Sequence, residues 1–160
     1  IKTMQMNPPA KLSDIVDALF IQNDEISCYL NRATGKVVMF SSEELSAAEE
    51  GDDLAVYPDW QRELIELARQ VVTDEAGQFL ELPTQVEVHE YHIMEQFCLT
   101  IKDPRTSDEL YYAIKGRGAF RRFKEAIHRF GIADDWYRYR DEALKEIAIA
   151  WCRRIDISYV

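Results

Sequence analysis

Between Lys115 and Lys124 the chain reads Lys-Gly-Arg-Gly-Ala-Phe-Arg-Arg-Phe-Lys, with five cations and no carboxylate. On a helix, Arg117, Arg121, Lys124 and His128 recur at steps of 4, 3 and 4 and so share one side, while Phe120, Phe123, Ile127 and Phe130 take the other. Gly116 and Gly118 stand just ahead, where the unpaired amides and the dipole of a helix N-terminus favour an anion. Arg117, Gly118, Arg121, Arg122, Lys124 and His128 therefore form a candidate site. Its ligand would be a phosphate, a carboxylate-bearing molecule or an acidic segment of a partner protein. The glycine pair is neither a Walker loop nor a dinucleotide fingerprint. A solvated basic face paired with acidic neighbours fits the same spacing.

Other constellations carry less. His89 and His92 lie three apart, and two imidazoles at that spacing need a third ligand to hold a metal; the zincin pattern needs a spacing of four with a glutamate between. No metal site or cofactor is assigned. No nucleophile elbow is present, and carboxylates are too abundant for any pair to stand out as acid and base, so no catalytic residue is named. In Asp134-Asp-Trp-Tyr-Arg-Tyr-Arg140 the spacing allows a cation–π contact of Arg140 with Trp136. A buried Arg140 would instead need a carboxylate such as Asp135 or Asp108. Cys28, Cys98 and Cys152 are scattered and read as reduced, buried thiols.

The elements that must position these residues follow from periodicity. Leu12, Ile15, Val16, Leu19 and Phe20 predict a helix behind Ser13 as N-cap, running to Gln22. Ile26–Leu30 and Lys36–Phe40 flank a loop ending at Gly35 and predict a β-hairpin. Ser41 and Glu44 have capping-box spacing for a short acidic helix that stops near Gly51. The stretch from Gly51 to Pro58 reads as a linker and carries the one hint of a subdivision. Asp59 then caps a helix with Trp60, Leu64, Leu67, Ala68 and Val71 on one face. Phe79–Leu82 reads as a third strand or an extended connection. Thr84 and Glu87 offer a second capping box, leading a helix striped by Val88, Tyr91, Met94, Phe97, Cys98 and Ile101. Residues 102–107 break it, and Leu110–Ile114 makes a short helix. The basic helix follows over Gly118–Phe130. A last helix opens at Asp134 and Asp135 and carries Tyr137, Leu144, Ala148, Trp151 and Ile155 in one apolar row, with Trp136, Ala143, Ile147 and Ala150 in the next.

The fold class is thus α+β and mainly helical, with about six helices around a small antiparallel hairpin or three-stranded sheet. Pro8 and Pro9 suggest that residues 1–10 are an extended lead-in or were added in cloning; residues 11–160 make a single globular domain. Hydrophobic residues at 47% and charged residues at 30% place the chain in the globular class, with no apolar run long enough for a membrane helix and no secretory leader. A net charge of −10 opposes general affinity for nucleic acid, because the mean field repels phosphate. It is unevenly spread: residues 1–114 hold 8 basic and 22 acidic side chains, residues 115–160 hold 11 and 7.

Several segments carry a resemblance: KLSDIVDAL, CYLNRATGKVV, PDWQRELIELA, VHEYHIMEQFC and above all GRGAFRRFKEAIHRFGIADDWYRYRDEALKEIAIAWC. From Lys11 to Trp151 the chain resembles a widespread bacterial family, uncharacterised protein family 0158. The resemblance implies a bacterial, cytoplasmic protein and supplies no catalytic residue. From the residues themselves, the leading reading is a non-enzymatic binding or regulatory module that meets an anionic ligand or acidic partner through the basic helix. A small hydrolase or nucleic-acid-processing enzyme is the alternative, requiring a concave polar cleft. An RNA-binding protein is the third, requiring steeply salt-dependent binding.

Overall fold

The β-rich run Ile26–Asn31 becomes β1, the central strand of a three-stranded sheet with β2 (Lys36–Ser41) on one side and β3 (Phe79–Glu81) on the other. Both neighbours run antiparallel to it, in a register that pairs Ile26 with Ser41, Asn31 with Lys36, and Tyr29 with Glu81. The computed structural model describes residues 7–160; the first six residues of the expected lead-in lie outside the described residues. The hairpin turn closes where the Asn31 carbonyl accepts from Gly35 N at 2.8 Å. Gly35 is required there twice over: its φ is +71°, and a Cβ would stand 2.7 Å from the Pro9 carbonyl oxygen.

The described residues pack as two compact units, residues 7–85 with 148–160, and residues 86–147. In the first, α1 (Leu12–Ile21) buries Leu12, Ile15, Ala18 and Leu19 and lies against β1 and β2. Its N-cap position is Lys11, without a side-chain cap, and Ser13 falls inside the first turn. The need for a cap is met otherwise, since Leu12 N donates to Val160 O at 2.9 Å. The expected lead-in is part of this seam at its end: Ala10 is fully buried and its N donates to Ser158 O at 2.9 Å.

The capping box forms as read, with Ser41 N donating to Glu44 Oε2 at 2.8 Å and Glu44 N to Ser41 Oγ at 3.3 Å. It starts α2 (Ser42–Glu50), which Gly51 ends in the left-handed region. The expected linker is instead an ordered 3-10 turn (Leu54–Val56), and both of its flanks belong to the first unit. Arg62 Nε donates to Leu54 O at 2.9 Å and to Tyr57 O at 2.7 Å, and Arg69 Nη2 donates to Asp52 O. In α3 (Asp59–Val72) the buried line is Gln61, Ile65 and Ala68, while Trp60 is 65% exposed. The inward face is thus turned from the one expected. Ile65 and Ala68 meet Phe40, Ala47 and Ala48, and the larger Leu67 and Val71 close the edge of that cluster half-buried.

The helix expected from residue 85 onward is divided. A single turn, α4 (Gln85–Val88), stops at His89, whose φ of +55° breaks the helical ladder before α5 (Glu90–Thr100). Histidine is among the residues that tolerate this region. The Lys102–Ser107 stretch separates two helices, as expected, and its later residues already begin α6 (Pro104–Ala113), ahead of the expected Leu110: Asp103 accepts from Thr106 N, and Pro104 sits in the first turn, where its missing N–H costs nothing. α7 (Ala119–Arg129) and α8 (Ala133–Arg154) follow, with Trp136, Leu144, Ala148, Trp151 and Cys152 buried along the latter. Residues of α8 from Ala148 onward belong to the first unit. No helix among the described residues is long and apolar enough to cross a membrane.

Candidate functional site

An aromatic core sets the orientation of α7. Phe123 packs edge-on against Trp136 at 4.7 Å and Phe97 at 6.1 Å, and Phe97 in turn meets Trp136 at 5.3 Å and Tyr139 at 5.4 Å. Such edge contacts add about 0.5–1.5 kcal/mol each beyond the area they bury. With Phe123, Ala126 and Ile127 held inward, the opposite side of α7 must face water.

Of the cations read from the sequence, the structure brings some together and removes others. Arg121, Lys124 and His128 are exposed on α7 at i, i+3 and i+7. Arg117 is exposed too but precedes the helix, because Gly118 is the N-cap in the left-handed region with φ +74°. Arg122 turns back: its Nε donates to Ala113 O at 2.8 Å, and its Nη1 and Nη2 donate to Arg117 O and Lys115 O. The Arg122 guanidinium thereby caps the C-terminal end of α6 and pins the loop that follows. Gly118 makes room for it, since a Cβ there would stand 3.2 Å from Arg122 Nη1. Arg121 meets Glu125 at 3.7 Å, an exposed pair worth about 0.5 kcal/mol or less. Phe120, expected inward, is 54% exposed. Position 120 falls four residues before Lys124, on the wet side, so that the buried line of α7 is Ala119, Phe123, Ala126 and Ile127.

The remaining constellations resolve simply. His89 and His92 lie ring to ring at 5.8 Å, and among the described residues no three His, Cys, Asp or Glu side chains group as a metal site. The Arg140 guanidinium lies over Tyr137 at 5.2 Å and 3.9 Å from Asp141 Oδ1. Trp136 is occupied by the aromatic core, and Asp135 faces Arg138 at 3.8 Å. All three cysteines are free and buried, and burial pushes their thiols up, Cys98 to about 11.

A second site was not legible in the sequence. In the first unit a pocket of about 470 Å³ has Asn7, Leu30, Arg32, Asp156, Ile157 and Ser158 in its lining. Arg32 sits in the hairpin turn, where its backbone N donates to Gln78 O at 2.8 Å and its Nη2 reaches Ile155 O at 3.4 Å. Its Nε is withdrawn from solvent and has no hydrogen-bond partner among the described residues. An unmet buried donor costs about 1–3 kcal/mol, and a charged one more. Asp156 ends α8 in a Schellman motif: its N donates to Arg153 O at 3.3 Å and Ile157 N donates to Cys152 O at 2.8 Å. It holds φ +58° where glycine is the usual residue. No ion pair joins Arg32 to Asp156 or to another carboxylate among the described residues. The two charges are 124 positions apart, with no motif to link them, which is why no spacing argument could reveal the pocket.

One relative among known proteins is the UPF0158 protein PA5073 of Pseudomonas aeruginosa, 31% identical over 67 residues that cover 41% of this chain and 44% of that protein. The aligned stretch thus spans less than half the length of the relative. No solved structure matches the chain. The match that spans the fold is to a family whose description is uncharacterised, and it runs over residues 6–160, including α7, its aromatic support and every residue named above in the pocket. The chain belongs to the uncharacterised protein family UPF0158.

Proposed function

We propose that the chain is a binding or regulatory module that docks an acidic segment of a partner protein on the exposed face of α7. The supporting observation is composition at one place. Phe120, 54% exposed, stands one turn from Lys124 and two from His128, with Arg121 beside it. An exposed ring among cations suits a ligand that offers both carboxylates and an apolar side chain, whereas a bare phosphate would leave the ring unused. The Arg122 clamp belongs to the scaffold in this reading, and Arg117 and Gly118 supply the approach to the face. The cytoplasm is the proposed compartment, in keeping with three free, buried thiols.

The test is fluorescence polarisation with a glutamate-rich peptide carrying one leucine, alongside polyphosphate and single-stranded RNA. Arg121→Glu with Lys124→Glu, leaving Arg122 intact, is expected to weaken peptide binding by about tenfold or more, and Phe120→Ala to weaken it by a lesser factor. Peptide binding untouched by these substitutions would remove the proposal. Tighter binding of RNA, falling steeply with salt, would favour the RNA-binding reading instead. The enzyme alternative calls for a concave polar cleft against the basic helix, whereas the pocket described above is lined by residues of the first unit.

A further inference from the structure

We propose that the pocket of the first unit binds a small zwitterion, a molecule carrying a carboxylate and an ammonium group on a short aliphatic frame. At about 470 Å³ it has the size of a metabolite site. Arg32 brings a guanidinium, a fork of N–H donors, to the pocket lining. A planar fork of donors of this kind matches a carboxylate better than any neutral group does.

Asp156, exposed just past the end of α8, lines the same pocket with the opposite charge, and no ion pair joins the two among the described residues. Each sign therefore asks for its complement from the ligand. A simple anion would satisfy Arg32 and face repulsion from Asp156, while a simple amine would do the reverse. One molecule bearing both groups meets both demands. Leu30 and Ile157 offer apolar surface to the frame between the charges, and the Asn7 amide and Ser158 hydroxyl add neutral hydrogen-bonding groups.

The backbone gives independent support. Asp156 closes α8 at the left-handed position where glycine carries no steric penalty, so a carboxylate stands where the fold alone is better served without one. Residues in such sparsely populated conformations cluster at ligand sites. The inference does not depend on the α7 proposal, because every lining residue belongs to the first unit and α7 to the second.

Calorimetric titration of the full chain with glycine, β-alanine and 4-aminobutyrate varies the spacing between the two charges, and acetate, methylammonium and inorganic phosphate serve as single-charge arms. At least one zwitterion is expected to bind about tenfold or more tightly than acetate or methylammonium, and Arg32→Gln and Asp156→Asn are each expected to cut that affinity by about tenfold or more. Asp156→Gly separates binding from folding: it should raise the melting temperature, by relieving the backbone, while binding is lost. If Arg32→Gln fails to fold, the two Asp156 variants decide alone. Phosphate or acetate binding as tightly as every zwitterion, and strengthened by Asp156→Asn, would overturn the proposal in favour of a plain anion site. Absence of heat with all probes, or affinity indifferent to Asp156, would overturn it as well.

Discussion

Three arginines, Arg62, Arg69 and Arg122, spend their guanidinium groups on backbone carbonyls of loops that precede them in the chain. A fixed fork of donors suits this task, because carbonyls at the end of a helix or in a tight turn point in several directions at once. Arg122→Ala should therefore destabilise the protein by about 2–3 kcal/mol in urea unfolding, the worth of hydrogen bonds from a charged donor. Arg122→Lys should recover little of the loss, since an ammonium cannot span three separated oxygens. Gly118→Ala is expected to cost about 1–2 kcal/mol through its left-handed backbone alone, with the approach to Arg122 adding to it. At this scale the sequence misleads in an instructive way. Arg121 and Arg122 are adjacent and chemically identical, yet one faces water and the other builds the scaffold. Composition places both in one candidate site; which of them folds back depends on where the carbonyls of another helix end.

Local signals are legible wherever the partners lie within a few residues. The hairpin and the capping box at Ser41 both appear as read, because a turn or a cap is a contract between neighbours. Ser41→Ala should lower stability by about 1 kcal/mol without moving the sheet, checked by thermal unfolding and circular dichroism. The start of α6 rests on an equally local pair, Asp103 and Pro104, although a proline after charged residues reads more readily as a break. Side-chain bonding to Thr106 holds the Asp103 carboxyl below its ordinary 3.8, so its support for α6 is present above that value and fades as pH falls through the lowered one. Tertiary context overrules local preference at α3, where the inward face is turned so that Trp60 stays wet, and at His89, where no residue type in the segment signals the break.

The whole molecule keeps three thiols out of water, and burial raises each above the ordinary value of 9.0. A raised pKa in the folded state means that stability is fully present below 9.0 and is lost as pH climbs from there through the raised values, which for Cys98 lie near 11. Urea midpoints should accordingly fall over that alkaline range, and less so in Cys98→Ala, whose baseline is lower because of the cavity it leaves. Alkylation of the native protein should be slow at neutral pH and become complete on unfolding. The pocket, too, exists only at this scale: Arg32 and Asp156 belong to a turn and a helix end separated by most of the chain, and nothing shorter than the folded first unit unites them.

The seam that joins the two ends of the described chain has a practical corollary. Ala10 and Leu12 exchange hydrogen bonds with Ser158 and Val160, so the last residue lies within a few ångströms of the first helix. A short glycine-rich bridge from Val160 back to Asn7 would span that gap, and new ends opened at the exposed Gly51 turn would leave the end of α8, α1, the β1–β2 hairpin and the pocket on one continuous covalent segment. Such a rearranged protein, in which α8, α1 and β1 follow one another in the gene, would let the zwitterion site be evolved as a single contiguous cassette.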